Sequence, residues 1–427
     1  MSSGVGRGRN PGVGDLTGGR IPCSVPPRSG ATRTHVWTVN DTGRISPRAV
    51  LALCCYVMFT GSAHVVTPAT SLTEMAVELG MHSDVQKGLF LSASFWGVAG
   101  VMLFSGFLGE RLGLRRLLWL SCSLQFVGIW WVSTATDLRT AVAATVLIGL
   151  GRGLVAAPMT ALLCSLFPER RTMVASLLHA FYYVGMIFIL VALIGFHKWG
   201  LGWRDVYRIM AVLVLSCGFA GLFVGTPAGR RTREKWGGPS VAQVVRQPAF
   251  LLLAGGMIFS GITEAGPMNW VPYFVERAGG ASRTVAIVGM LLLGATMSIG
   301  RLTFGFVVER IGSARYFLIA GLLCAVSLML TALPLGPFFS ITCLIVAGLA
   351  LAGNFPAILG GASDRFPDAG ASMFAVLTMV AVIGAIIGPL SVGLVADRLG
   401  LRLAMASQAL APVSLIVLMA WFRRSGA

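Results

Sequence analysis

The chain is 427 residues long, 56% hydrophobic and only 11% charged, with a formal net charge of +17. So few charges exclude a soluble protein of several domains and fit a series of bilayer spans, each of about 20 apolar residues. The positive excess does not point to nucleic acid: the Lys and Arg sit in short turns between apolar runs and favour one side of the expected membrane, the bias that orients membrane proteins.

Residues 1–45 are rich in Gly, Arg, Pro, Ser and Thr and nearly free of large apolar side chains. Such a segment has too little to bury, and it lacks the apolar core of a signal peptide, so it reads as a disordered cytoplasmic tail. Apolar runs then predict twelve helices, over 48–69, 88–109, 117–135, 141–166, 174–196, 204–225, 249–273, 286–308, 316–334, 338–362, 371–395 and 403–422. They group as a six-helix bundle over 46–226, a basic cytoplasmic linker over 227–248 and a second six-helix bundle over 249–427. Both termini then lie on the cytoplasmic side of an integral, multi-pass membrane protein.

In the first predicted helix Thr60, His64 and Thr67 share a face, by their spacing of four and three. The second helix carries Trp96. It ends in Gly106-Phe107-Leu108-Gly109-Glu110-Arg111-Leu112-Gly113-Leu114-Arg115-Arg116, a tight basic turn. The third contains Gln125 and ends in Trp130-Trp131, suited to a membrane interface. In the fourth, Arg152 stands between Gly151 and Gly153; the fifth brings His179, Tyr182 and Tyr183. The linker holds Arg230, Arg231, Arg233, Lys235 and Arg246 and faces anionic lipid. The seventh helix contains Ser260, Glu264, Asn269, Trp270 and Tyr273, and Gly266-Pro267 is expected to break it, as in the discontinuous helices of transport sites. Arg301 opens the inner half of the eighth helix, Asn354 lies in the tenth, and the eleventh ends in a turn of similar lettering, Gly393 to Gly400, which falls on the outer side and is expected to have no role.

The basic turn recurs. Gly106, Glu110 and Gly113 are matched by Gly305, Glu309 and Gly312, each 199 residues on, and Phe167-Pro168 by Phe366-Pro367 at the same offset. Landmarks that share one offset mark a tandem duplication of a unit of some 200 residues.

Both turns resemble the signature loop of the major facilitator superfamily, G-x-x-x-D-R-x-G-x-(K/R), with Glu110 and Glu309 where the family usually has Asp. The stretch Phe167 to Gly185 and the order of Glu264, Asn269 and Trp270 are similar to bacterial sugar and fucose-permease-like members. The resemblance implies two six-helix bundles related by a pseudo-two-fold axis, alternating access, and signature loops (Gly106, Glu110, Arg111, Gly113, Arg115; Gly305, Glu309, Arg310, Gly312) that latch the halves on the cytoplasmic side.

No P-loop and no hydrolase, kinase or redox constellation is present, so no enzyme activity, cofactor or metal is expected. Seven of the eight cysteines fall in predicted spans, without metal or redox spacing, and read as packing residues. Ionisable groups inside spans are costly and mark substrate or proton paths. Glu264 is the first candidate, as substrate contact or proton carrier, with His64 or Arg152 tuning it. Arg301, Asn269, Trp270, Thr60, Gln125, His179, Tyr183, Asn354 and Trp96 complete the expected pathway. The reading is a proton-coupled secondary transporter of a small polar solute, sugar-like first, working as a monomer in the bilayer. A drug or metabolite efflux pump and a membrane sensor without turnover are the alternatives.

Overall fold

Apolar segments that lie in lipid must satisfy their own backbone groups, which helices do residue by residue. The computed structural model describes residues 46–167, 170–225, 241–366 and 370–424, and these belong to one compact unit. The tail over 1–45 and most of the linker lie outside the described residues. Among the described residues, twelve helices are long and apolar enough to cross a membrane. They are α1 Pro47–Glu78, α2 Asp84–Gly109, α3 Arg111–Thr134, α4 Leu138–Leu166, α5 Leu177–Lys198, α6 Trp203–Phe223, α7 Pro248–Arg277, α8 Arg283–Ile311, α9 Ser313–Leu330, α10 Pro337–Arg365, α11 Met373–Leu399 and α12 Leu401–Arg424.

Caps set several starts. Ser83 accepts from the Gln86 N–H at 3.2 Å while the Gln86 side chain accepts from the Ser83 N–H, a reciprocal capping box. Asp137 accepts from the Thr140 N–H at 3.0 Å. The first helix extends well past its expected end at residue 69, to Glu78, interrupted at Ser62.

The duplication is visible in the backbone. Gly113 and Gly312 adopt φ 74° and 78°, a left-handed turn that glycine adopts without strain. Phe167 and Phe366 end α4 and α10 at φ −126° and −129°. Packing repeats in the same register. A Cβ on Gly185 would lie 2.1 Å from the Phe59 carbonyl oxygen, and one on Gly384 would lie 2.1 Å from that of Ile258. So α5 crosses α1 as α11 crosses α7, through glycines that let backbones touch where packing drives association.

One expectation fails here. α7 is helical throughout, including Gly266 and Pro267. The reason is packing: the α11 backbone at Gly388 closes on Gly266, with a Cβ there only 2.7 Å from the Gly266 nitrogen. The interruptions fall elsewhere, at Ser62 in α1, at Ala352-Gly353 in α10 and at Gln408-Ala409 in α12.

Candidate functional site

The halves meet along α2 against α11 and α5 against α8. Gly294 admits Met186 across the second seam, where a Cβ would lie 2.8 Å from the methionine Cε. That approach brings the middles of α5, α7 and α8 together. Glu264 Oε1 accepts hydrogen bonds from Arg301 Nη2 at 2.7 Å and from the Tyr183 hydroxyl at 3.2 Å. The Arg301 guanidinium also lies 4.9 Å from the Tyr183 ring centre, a cation–π contact. Tyr182 stands edge-on to Tyr183, ring centres 5.5 Å apart. Two charges at this depth are tolerable because they neutralise each other. They are not sealed, however: the Arg301 and Glu264 side chains keep 23% and 28% of their surface exposed. His179, one turn before Tyr183, is exposed and within electrostatic reach of both.

Arg152 approaches the same region from the first half. Gly149 and Gly153 pack against α2, at Ser94 and Val98, and Gly151 packs against α3 at Gln125. Arg152 is thereby turned to the remaining side of α4, within electrostatic reach of His64 and Tyr182. Tyr182 in turn is within reach of Arg152, Glu264 and Arg301, and so lies between the charges of the two halves.

Other expected site residues are not brought to Glu264. Thr60 is buried and bonded to Cys217 Sγ at 3.1 Å, facing α6. His64 is held inside the first bundle by Gln125, Nε2 to Oε1 at 2.5 Å; Gln125 in turn donates to Ser121, which donates to the Gly151 carbonyl. A small cavity of about 20 Å³ lies beside His64 and Thr67, room for about one water. His64 thus braces one bundle and does not touch Glu264. Asn269 donates to the Ala265 carbonyl of its own helix. Trp270 is wholly buried, and its Nε1–H donates to the Pro389 carbonyl at 3.0 Å. On an unbroken α7, Glu264 and Trp270 face different neighbours, and the tryptophan packs α7 on α11. Trp96 is about half exposed and donates to Ser92 of its own helix. Asn354 is buried, and both of its side-chain polar atoms lack a partner among the described residues.

No hydrogen bond or ion pair between the halves is described for the signature turns. Arg115 donates to the Leu222 carbonyl of its own half, and Arg111 lies 4.0 Å over the Phe107 ring. Glu309 and Arg310 are exposed, and Gly106 and Gly305 have open space around them. The side chain of Glu110 lies outside the described residues. The halves are joined at the opposite end. Arg283 pairs with Glu74, the Thr73 hydroxyl donates to Glu276 at 2.5 Å, and Asp397 accepts from the backbone N–H of Asp84 and Val85. A further hydrogen bond between the halves joins Tyr183 to Glu264 at mid-depth. The described residues are therefore clamped at the end away from the signature turns.

Sequence reasoning missed this clamp. Asp397 belongs to the third turn, Gly393 to Gly400, whose lettering was the available signal. It is the only one of the three turns whose carboxylate is described on a helix N-terminus, where the backbone dipole favours it. Among the described residues no set of three or more His, Cys, Asp or Glu side chains could hold a metal.

The family model described as Major Facilitator Superfamily matches residues 52–369 and 280–426. No curated protein sequence matches the chain. Among solved structures, a mutant form of the nucleoside transporter NupG is similar in fold, with a TM-score of 0.72 at 15% identity, over 88% of this chain and 99% of that one. The chain matches 315 solved chains in all, and likeness at this identity shows the fold alone.

Proposed function

Because the chain belongs to the major facilitator superfamily, and so is a multi-pass membrane transporter of a solute, we infer that it moves a small polar organic solute by proton-coupled alternating access through the seam at Glu264. One observation carries the reading. Tyr183 of the first half and Arg301 of the second both hold Glu264, at the middle of the membrane, in a place that remains accessible. A carboxylate so placed couples two events. Protonation removes its charge, weakens its hold on Arg301 and Tyr183, and loosens the join between the halves at mid-depth. Release of the proton on the other side restores the join.

The state described is read as open to the cytoplasm, since the described clamp lies at the end away from the basic signature turns. Clamping at Glu74, Arg283 and Asp397 would then close the outside. In the return stroke the signature turns would close the inner end. Solute class is proposed as sugar-like, from the aromatic and hydrogen-bonding groups around Glu264. Nucleosides join it as candidates, from the NupG likeness. The test is uptake into proteoliposomes of the full chain, with an imposed pH gradient and a panel of labelled sugars, sugar acids and nucleosides. Accumulation above equilibrium, abolished by a protonophore, supports the reading. Equilibration unaffected by the gradient would remove the coupling, and binding without any flux would favour a sensor.

A further inference from the structure

Arg152 is a charge without a counter-charge. It makes no hydrogen bond or ion pair with any described residue, and its Nη1 is buried with no partner. Its charged or titratable neighbours are His64, bonded to Gln125, and Tyr182. No described carboxylate of its own bundle reaches it: Glu74, Glu78, Asp84, Asp137 and Asp205 all lie close to helix ends, whereas Arg152 is at the centre of Leu138–Leu166. Across the seam, Glu264 is taken by Arg301. The site at mid-depth therefore holds two guanidinium groups and one carboxylate. A solitary cation at this depth is retained at a cost unless something neutralises it. Its surroundings also suit a ligand: Gly151 and Gly153 take up the contacts to α3 and α2, which leaves Arg152 on the remaining side of α4, and Tyr182 carries the region across to Arg301, whose Nε is likewise buried and unpartnered.

We propose that Arg152 is the anchor for a single anionic group on the solute, a carboxylate or a phosphoryl group, so that the transported species is a small hydroxylated organic anion. This rests on the transporter reading above and narrows its solute class from neutral sugars to acidic ones. Charge bookkeeping then sets the coupling. For a carboxylate solute, one proton on Glu264 and one negative charge at Arg152 cross together, and the loaded carrier bears the same net charge as the unloaded one; a phosphoryl monoester, which carries up to two negative charges at neutral pH, would leave the loaded carrier up to one charge more negative.

The test compares the full-length chain with Arg152→Gln and Arg152→Lys, against D-glucose, D-glucuronate and D-glucose 6-phosphate. Thermal stability in detergent is read first, then counterflow of the labelled compounds in proteoliposomes. Without added ligand, Arg152→Gln is expected to melt at or above the temperature of the parent, because it removes an unpaired charge. At millimolar concentration one or both acids should protect the parent more than glucose does, and which one protects separates carboxylate from phosphoryl. Arg152→Gln should weaken that protection by about tenfold or more, the worth of a charge-assisted hydrogen bond. Arg152→Lys should keep the preference for acids with weaker binding. The proposal is overturned if Arg152→Gln melts well below the parent while Arg152→Lys does not, the mark of a structural ion pair. It is overturned equally if neither acid protects more than glucose, or if protection survives in Arg152→Gln. Counterflow of glucose in those cases would leave the transporter reading standing. Protection by an acid without counterflow would do the reverse, keeping the anion site and removing transport.

Discussion

Asp397, in the last turn of α11, accepts the backbone N–H groups of Asp84 and Val85 at 2.5 and 3.2 Å, and so seats a carboxylate of the second half on the first turn of α2 in the first. Helix starts leave such donors unpaired and carry partial positive charge. The contact therefore costs little geometry and holds the halves shut at this end. Asp397→Asn keeps the shape and removes the charge. It should weaken the closed end by about 1 kcal/mol, shifting the ratio of closed to open states about fivefold. Spin labels at Val77 and Leu399, exposed at that end in the two halves, would report it. A longer-distance population should grow in Asp397→Asn; an unchanged distance distribution would count against the clamp.

The repeated glycine crossings make a symmetric prediction. Gly185→Ala and Gly384→Ala each drive a Cβ to 2.1 Å from a carbonyl oxygen, so the helices must separate. Each should lower thermal stability, by about 1–3 kcal/mol as for other overpacking changes, and by similar amounts. A large loss at one position and none at the other would show that the two halves are not packed alike.

Gly106 and Gly305 behave differently, because neither has an atom near its missing Cβ. Gly106→Leu and Gly305→Leu should leave the melting temperature of the described state unchanged within a degree or so of ordinary surface substitutions. They should nonetheless slow transport, since on the alternating-access reading the end bearing the signature turns must close around these positions in each cycle. Normal turnover in both variants would argue that the signature turns never pack.

Trp270 is assigned here to helix packing. Trp270→Phe keeps most of the ring but leaves the Pro389 carbonyl without its donor, at a cost of about 1–3 kcal/mol. Stability should fall while the concentration of solute giving half-maximal uptake stays the same. The opposite pattern, normal stability with weakened solute affinity, would return Trp270 to the site.

The twelve spans, the two halves and their offset were legible because a bilayer imposes length and apolarity on every span and because duplication writes each landmark twice. Glu264, Arg152 and Arg301 were legible for a related reason: an ionisable group in a span is rare and needs a purpose. What one sequence does not carry is the rotation of each helix about its axis. Thr60 and Trp270 are polar-tipped residues on apolar helices, and such tips serve a cavity or a neighbouring helix equally well. Only the packing of α1 on α6 and of α7 on α11 decides between them. Proline carried a similar ambiguity, since Pro267 breaks a helix only where no neighbour holds it straight. Asp397 was passed over because its partners are backbone amides some three hundred residues away, which no motif names.

The most direct measurement is transport by Glu264→Gln in proteoliposomes, with uphill uptake and counterflow assayed on the same preparation. Gln keeps the size and the hydrogen-bonding reach of the side chain but can carry no proton. Loss of pH-driven accumulation with counterflow retained is the expected result. Accumulation at the parental level would contradict proton carriage by Glu264, and with it the coupling at the seam.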